Sequence, residues 1–400
     1  VSSTAVATQA SQTNLFRTKC PSKNAWWLTF FIWLVAIMPA RATDQLMLRV
    51  AIKQDVNQIQ VGGSTTAVLK NADGQVLTEL QAGSALNATA ADGSVSIGRW
   101  QENAVWVEPQ DDGFVWIGDK WYRGRTKVVS TSGGITAVNY VELDEYLYSV
   151  VGSEMPTSWP LEALKAQAVT ARSYALYQRQ GSANTVFDVG NTTRWQVYHG
   201  IEKEAASTQA AVQETRGQVL THNGQIINAV FHSSSGGHTA NVEDVWVTPL
   251  PYLRGVPDYD QDGNNRFRWT ETFNSDQMRA RITDIGNILS FVPERMTDHG
   301  RVITMRVVGD AGEKRLSGDE IRRALGLNST LFNVQIQGGQ IASTDGAVPP
   351  NQFVFNGGGY GHGVGMSQYG ARGLAVQGSD YRQILSHYYQ GTTLARIRVE

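Results

Sequence analysis

One cysteine in 400 residues constrains this chain more than any other feature, because Cys20 stands in what reads as a leader and leaves the remainder without a thiol. With neither disulfides nor cysteine ligands available, the fold must be held by an apolar core, and cysteine chemistry cannot carry the function. The leader reading rests on Arg17, Lys19 and Lys23 ahead of the apolar run AWWLTFFIWLVAIM, followed by Ala40-Arg41-Ala42. A basic region, a short apolar stretch and a small-residue site describe a secretory signal over residues 1–42. The run is shorter than the roughly 20 residues a membrane span prefers. Left uncleaved, the same segment would act as an N-terminal anchor. On either reading the rest is exported, to the periplasm or the cell wall.

Composition excludes one class of partner. With 18% charged residues and a formal net charge of -2, the chain lacks the basic surface that phosphate backbones require, so nucleic acid is not expected. Its 11 Trp and 14 Tyr suit a surface that stacks on sugars, although core packing uses most aromatics in most proteins.

From residue 44 to about 120 the sequence alternates apolar and polar residues around Asp73-Gly74 and Asp92-Gly93, which predicts a β-rich region of hairpins. Strands are expected to continue through NYVELDEYLYSVV. The first strong helix is expected after Glu154, with Thr157 or Ser158 as cap and Pro160 in the first turn. Further helices are predicted over EKEAASTQAAVQETRG, SGDEIRRALGL, GMSQYGARGLAVQG and DYRQILSHYYQG, with QVLTHNGQIINAVFHSSSGG as a hairpin. Helices and strands mix without a regular βαβ alternation, so the fold class is α+β.

Four stretches are candidates for chemistry. Glu154, between Ser153 and Met155-Pro156, reads either as a general acid raised by partial burial or as a capping carboxylate. In the expected geometry it enters a helix whose positive end would favour the ionised form. FHSSSGGHT reads as a strand-to-loop turn presenting His232, Ser234 and Ser235 to a polar ligand. His232 and His238 alone fall short of the three or four ligands a zinc site wants. GGGYGHGVGMSQYGARG lacks the register of a phosphate loop. It reads instead as backbone that approaches an extended substrate closely, with Tyr360, His362 and Gln368 as polar or stacking groups. DYDQDGNN imitates a calcium loop through Asp258, Asp260, Asp262 and Gly263, but its twelfth position would be Trp269, and a polar turn is expected.

These stretches together resemble the SpoIID/LytB family of sporulation protein D-type peptidoglycan glycosidases and amidase enhancers. The resemblance is carried by Tyr122-Arg123-Gly124, NYVELDEYLYSVVGSEMPTSWPLEALKAQAVTARSYAL, FHSSSGGHT, PYLRGV, GGGYGHGVGMSQYGA and HYYQGT, in that order. It implies a mixed α/β catalytic domain over residues 121–400 and lytic transglycosylase activity on glycan strands freed of stem peptides. Glu154 then corresponds to the catalytic glutamate, with His232 and the Gly-rich loop lining the groove. Lys165 and Arg172, two helical turns apart on one face, would bind sugar carbonyls or lactyl carboxylates, or be solvated. Some members place cysteines near HSSSGG and hold zinc there; this chain has serines, so no metal or other cofactor is carried over. The implied partners are peptidoglycan glycan strands and a cell-wall amidase. Two other readings stand beside this one: a glycan-binding enhancer without catalysis, and a two-carboxylate hydrolase with Glu142, Asp144 or Glu145 as second acid.

Overall fold

Period-two alternation in the N-terminal third resolves into two sheets. The computed structural model describes residues 46–246, 248–338 and 350–397; the leader at residues 1–42 lies outside them. One sheet has seven strands in the order Val189–Gly190, Met47–Val56, Gly134–Glu142, Arg125–Thr131, Ala104–Pro109, Ala67–Asn71 and Val76–Leu80. Its pairings are antiparallel except the first, which is parallel. The other has six, in the order Lys120–Tyr122, Val115–Ile117, Gln58–Gly63, Ala85–Ala91, Ser94–Ile97 and Trp100–Glu102. At the Asp92-Gly93 turn both residues take positive φ, 42° and 76°, as a two-residue type I′ hairpin demands.

Seven α-helices lie among the described residues: α1 Leu143–Glu154, α2 Leu161–Ser182, α3 Ala206–Glu214, α4 Ser275–Arg281, α5 Gly318–Leu325, α6 Gln368–Val376 and α7 Tyr381–Tyr388. With the sheets they make an α+β protein. The helix α2 is the hub. Buried Ala163, Ala166, Ala168, Ala171 and Ala175 give it a surface low enough for α1, α3, α6 and α7 all to pack on it. The core they form is continuous with that of the N-terminal sheets, through Leu48, Val50, Val141, Leu147 and Val150.

Three local readings change. The stretch ELDEYLYSVV is helical rather than extended, forming α1. Glu142 caps it by accepting from the Glu145 N–H at 3.1 Å, and Leu143, Tyr146, Leu147, Val150 and Val151 make a buried stripe at helical spacing. The cap of α2 is Pro160, with no side-chain bond from Thr157 or Ser158. The helix expected over residues 202–217 is split into a 3₁₀ turn, Gly200–Lys203, and α3.

Residues 268–337 and 350–358 form a lobe with its own core, built from Phe273, Met278, Ile288, Val307, Ile321, Phe353 and Phe355. One three-stranded sheet runs Arg268–Asn274, Gln352–Gly358, Phe332–Gln337; the other runs Ile288–Met296, Val302–Gly309, Gly312–Ser317. Capping boxes start both of its helices, Asn274 with Gln277 on α4 and Ser317 with Glu320 on α5, and Gly326 at φ 72° ends α5.

Candidate active site

Glu154 is the last residue of α1, not a residue of the loop entering α2. The dipole it meets is therefore the negative end of its own helix, which disfavours the carboxylate instead of stabilising it. Position along α1 also separates it from the other acids of the segment. At a rise of ~1.5 Å per residue, Glu142, Asp144 and Glu145 lie about 14–18 Å along the axis from Glu154. Glycosidase carboxylate pairs stand roughly 5–9.5 Å apart. None of the three can serve as its partner acid.

What holds the Glu154 carboxylate comes from two distant segments. The Val197 N–H donates to Oε1 at 3.1 Å and the Gln368 amide Nε2 donates to Oε2 at 3.4 Å. The 3₁₀ turn that follows Val197 packs closely on α1 because Gly152 has no side chain; a Cβ there would stand 1.9 Å from the Lys203 carbonyl oxygen. Gln368 opens α6, whose N-cap Ser367 accepts from the Gly370 N–H at 3.1 Å. Burial raises the Glu154 pKa above the ordinary carboxylate range, and the two donors only partly oppose it; no second carboxylate acts on it. Its charge in turn reaches Tyr146 and Tyr174, and Tyr174, chiefly through burial, is pushed up to about 12. Val197 also lines a cavity of about 500 Å³, together with Lys53, Asn191, Thr192, Thr193 and His199; Glu154 itself does not line it. Close in sequence to Glu154 and Gln368, Trp159 packs edge-on against Tyr369 at 4.8 Å, under the Arg372 guanidinium.

The two glycine-containing motifs meet beside this corner. Phe231–His232 pairs in parallel with Met366–Ser367, and Ser234 bridges Tyr360. Phe231 reaches the Tyr174 ring at 6.3 Å, which links the motifs to the surroundings of Glu154. His232 is buried, with Nδ1 on the Val364 carbonyl at 3.1 Å and no partner on Nε2. His362 accepts from the Val364 N–H at Nδ1, so its Nε2 carries the proton and donates to the Phe231 carbonyl at 2.9 Å. Burial holds both rings neutral, His362 pushed down to about 4 and His232 well below its usual value. The His362 ring stands 4.9 Å from Trp246, which is 40% exposed and offers a stacking surface. Tyr360 is likewise exposed, with Arg266 over its ring at 4.3 Å.

Five expected site residues lie elsewhere or face inward, the buried His232 among them. Arg172 is fully buried: its guanidinium pairs with Asp144 at 2.8 Å and donates to the Thr215, Gln218 and Val212 carbonyls. It ties α1 to the end of α3 and cannot meet a ligand. Lys165 is held between Glu162 at 2.7 Å and Glu214 at 2.6 Å. Ser234 and Ser235 have no exposed surface; their hydroxyls donate to Asp260 and Asp258 instead of facing a ligand. The stretch DYDQDGNN is a surface turn at the exposed Asp262 and Gly263, as expected, but Asp258 and Asp260 reach inward from it: Asp258 also accepts from Tyr388 at 2.6 Å, and Asp260 from the Gly236 N–H at 2.8 Å. His232 and His238 occupy different surroundings, the latter stacked on His299 at 3.4 Å. Among the described residues no group of three His, Cys, Asp or Glu side chains could hold a metal ion. Sequence reasoning missed Val197, whose contribution is a backbone N–H without a side-chain signature, and Trp246.

Comparison with known proteins agrees with this arrangement. A model of the SpoIID stage II sporulation protein family matches residues 131–222, the span that holds Glu154, α1, α2 and the Val197 loop. A second model, of a domain of unknown function, matches residues 240–365, from the end of FHSSSGGHT to the loop after His362. The stage II sporulation protein D of Bacillus subtilis is 32% identical over 283 residues, covering 65% of this chain and 76% of that protein. An uncharacterised protein of Brachyspira hyodysenteriae is 33% identical over 301 residues, covering 74% and 78%. The Bacillus subtilis amidase enhancer is 29% identical over 62% of this chain, but this chain spans only 40% of its length. With sequence likeness running across most of both chains, the protein belongs to the SpoIID/LytB family.

Proposed function

We propose that this protein is a lytic transglycosylase that cleaves the bond after N-acetylmuramic acid in peptide-free glycan strands, with Glu154 as its single acid and base. Family membership gives a cell-wall-related role. The finer reading rests on one observation: Glu154 is a half-buried carboxyl with a raised pKa, lightly held, and with no carboxylate partner. That suits a reaction in which no water is activated. Protonated Glu154 gives its proton to the glycosidic oxygen, and the leaving sugar departs as an alcohol. The muramyl C6 hydroxyl then bonds to the anomeric carbon and passes its proton to the Glu154 carboxylate, which closes a 1,6-anhydro ring and restores the acid. One group serves both steps because they follow one another. The Val197 N–H and the Gln368 amide stabilise the carboxylate between them.

The peptide-free preference rests on the resemblance, as does export to the periplasm or wall. No helix among the described residues is long and apolar enough to cross a membrane. A second reading has an observation of its own, the likeness to a protein named as an amidase enhancer. In that reading the chain binds glycan, assists a cell-wall amidase and cuts nothing. Analysis of chain ends after incubation with stripped and intact sacculi separates the two. Anhydro ends, formed faster on stripped material, are expected. New reducing ends would mean hydrolysis, and no new ends would leave the enhancer reading.

A further inference from the structure

The separate lobe carries two sheets of opposite surface chemistry. On the sheet of residues 288–317, Arg306 pairs with Glu313 at 3.0 Å and with Glu294 at 3.6 Å, and Arg315 also pairs with Glu294. The outward face of the other sheet has almost no charge. Thr270, Asn356 and Asn333 stand opposite one another across its three strands, and Thr272, Val354 and Gln335 form the next row. The alternate residues Phe273, Phe355 and Phe332 face the core. Arg268 is the one charged residue that shares the outward face, at its end.

Strand preference does not account for this. Asparagine is among the residues depleted in strands, yet two are paired directly on neighbouring ones. Thr270 donates to the Asn356 Oδ1 at 2.9 Å, which engages the oxygen of that amide and not its N–H₂ group. Asn333 is exposed. A cavity of about 730 Å³ opens on this row, lined also by Arg268, Trp269 and His299. That is the size of small-ligand sites. Trp269 is fixed by its indole N–H on the Gly359 carbonyl at 3.0 Å, and Met296, 40% exposed, adds apolar surface at the rim.

Amides and hydroxyls on a rigid sheet, flanked by an indole edge and a thioether, match a neutral ligand rich in hydroxyl and acetamido groups. The lack of lysine and carboxylate side chains gives nothing for an anion or a polycation to pair with beyond Arg268. The strand that carries Asn356 runs straight on into Gly359, Tyr360 and His362. We propose that this face is a second sugar-binding site, which takes N-acetylhexosamine units of a glycan away from Glu154. That the glycan is the strand to be cut rests on the reading above.

The test uses the full chain and oligomers of N-acetylglucosamine, which contain no muramic acid and so cannot be cleaved in the proposed way. Calorimetric titration is expected to lose one binding event, or about 10-fold in affinity, in Asn333→Ala/Asn356→Ala. Two hydrogen bonds of ordinary net worth account for a loss of about that size. Asn333→Lys, at an exposed position, should do the same while thermal unfolding stays at the wild-type temperature. Unchanged stoichiometry and affinity in folded variants overturn the proposal. Because no cleavage is read, the outcome is independent of Glu154: loss of binding stands even if Glu154→Gln still cuts, and retained binding fails the face alone.

Discussion

Glu154 and the pair Asp258 and Asp260 are all carboxylates withdrawn from water, yet their surroundings differ in kind. Asp258 accepts from Ser235, Tyr388 and the Tyr259 N–H, and Asp260 from Ser234 and the Gly236 N–H, with the buried Arg301 guanidinium nearby as counter-charge. Glu154 has one backbone donor, one long amide contact and no counter-charge. Asp258 is engaged at both oxygens, while Asp260 accepts only at Oδ2 and keeps Oδ1 buried without a hydrogen bond; together they fix FHSSSGG against the α7 side of the core. Glu154 is left with acceptor capacity and a costly charge, the condition a proton donor needs. Light satisfaction without a counter-charge marks the chemistry here, more than burial does.

The sharpest break of that contrast is Glu154→Gln. The amide keeps the shape and removes proton transfer, so cleavage should fall by roughly 10²–10⁴-fold. The fold should not suffer. A carboxyl whose folded pKa is raised binds its proton more tightly than in the unfolded chain, so its contribution is fully present below the unfolded pKa. It is lost as pH rises through the folded value. At neutral pH the variant should therefore unfold at or above the wild-type temperature, and the gap should close in acid. A variant that cuts stripped glycan at the wild-type rate removes Glu154 as the acid.

Arg172→Ala probes a third carboxylate, Asp144, which does have a buried counter-charge. Removing the guanidinium leaves Asp144 without its buried partner and three carbonyls without their donor, a loss of about 3–5 kcal/mol. Denaturant unfolding should show it, with activity lost only in proportion to unfolded protein. A folded variant of normal stability and poor glycan binding would return Arg172 to the groove.

The histidines give a smaller effect with a definite sign. His362 is held down to about 4, against about 6.5 when unfolded. Between those values the unfolded chain takes up a proton that the native state refuses, so stability falls as pH falls through that window. The slope from this group is at most about 1.4 kcal/mol per pH unit. His362→Gln should flatten the stability profile between pH 6.5 and 4 relative to wild type. Parallel profiles would mean the ring protonates freely, against its placement between Phe231 and Val364.

What the sequence disclosed follows the same division. Gln368, His232 and His362 stood out because their glycine-spaced motifs have little other use, and the structure brings them together, with His232 buried instead of presented to a ligand. Their hydrogen-bond roles were not. The helix α1 was misread because Tyr and Val favour strands, although the spacing from Leu143 to Val151 was helical throughout. That error put Glu154 at the wrong end of a helix and reversed the expected dipole effect. Ser234 and Ser235 could not be judged without Asp258 and Asp260, more than twenty positions away and read as a turn. Arg172 looked like an exposed cation because nothing in α2 announces that α3 ends over it. Partners supplied by distant segments are where local reading stops.

Gln368→Ala sharpens the comparison with the least disturbance. At 3.4 Å its amide is a weak donor to Glu154, and a rate loss of about 3–10-fold is expected for an ordinary hydrogen bond. Direction tells more than size. Gln368 lowers the Glu154 pKa, so its removal should raise it further. Cleavage needs the protonated acid, so the alkaline limb of the pH–rate profile should move to higher pH while the acid limb stays. A residue that instead touched only the sugar would raise KM and leave that limb in place. The two outcomes separate a group that tunes the acid from one that holds the substrate, and a limb that moves to lower pH would contradict the placement of the amide on the carboxylate.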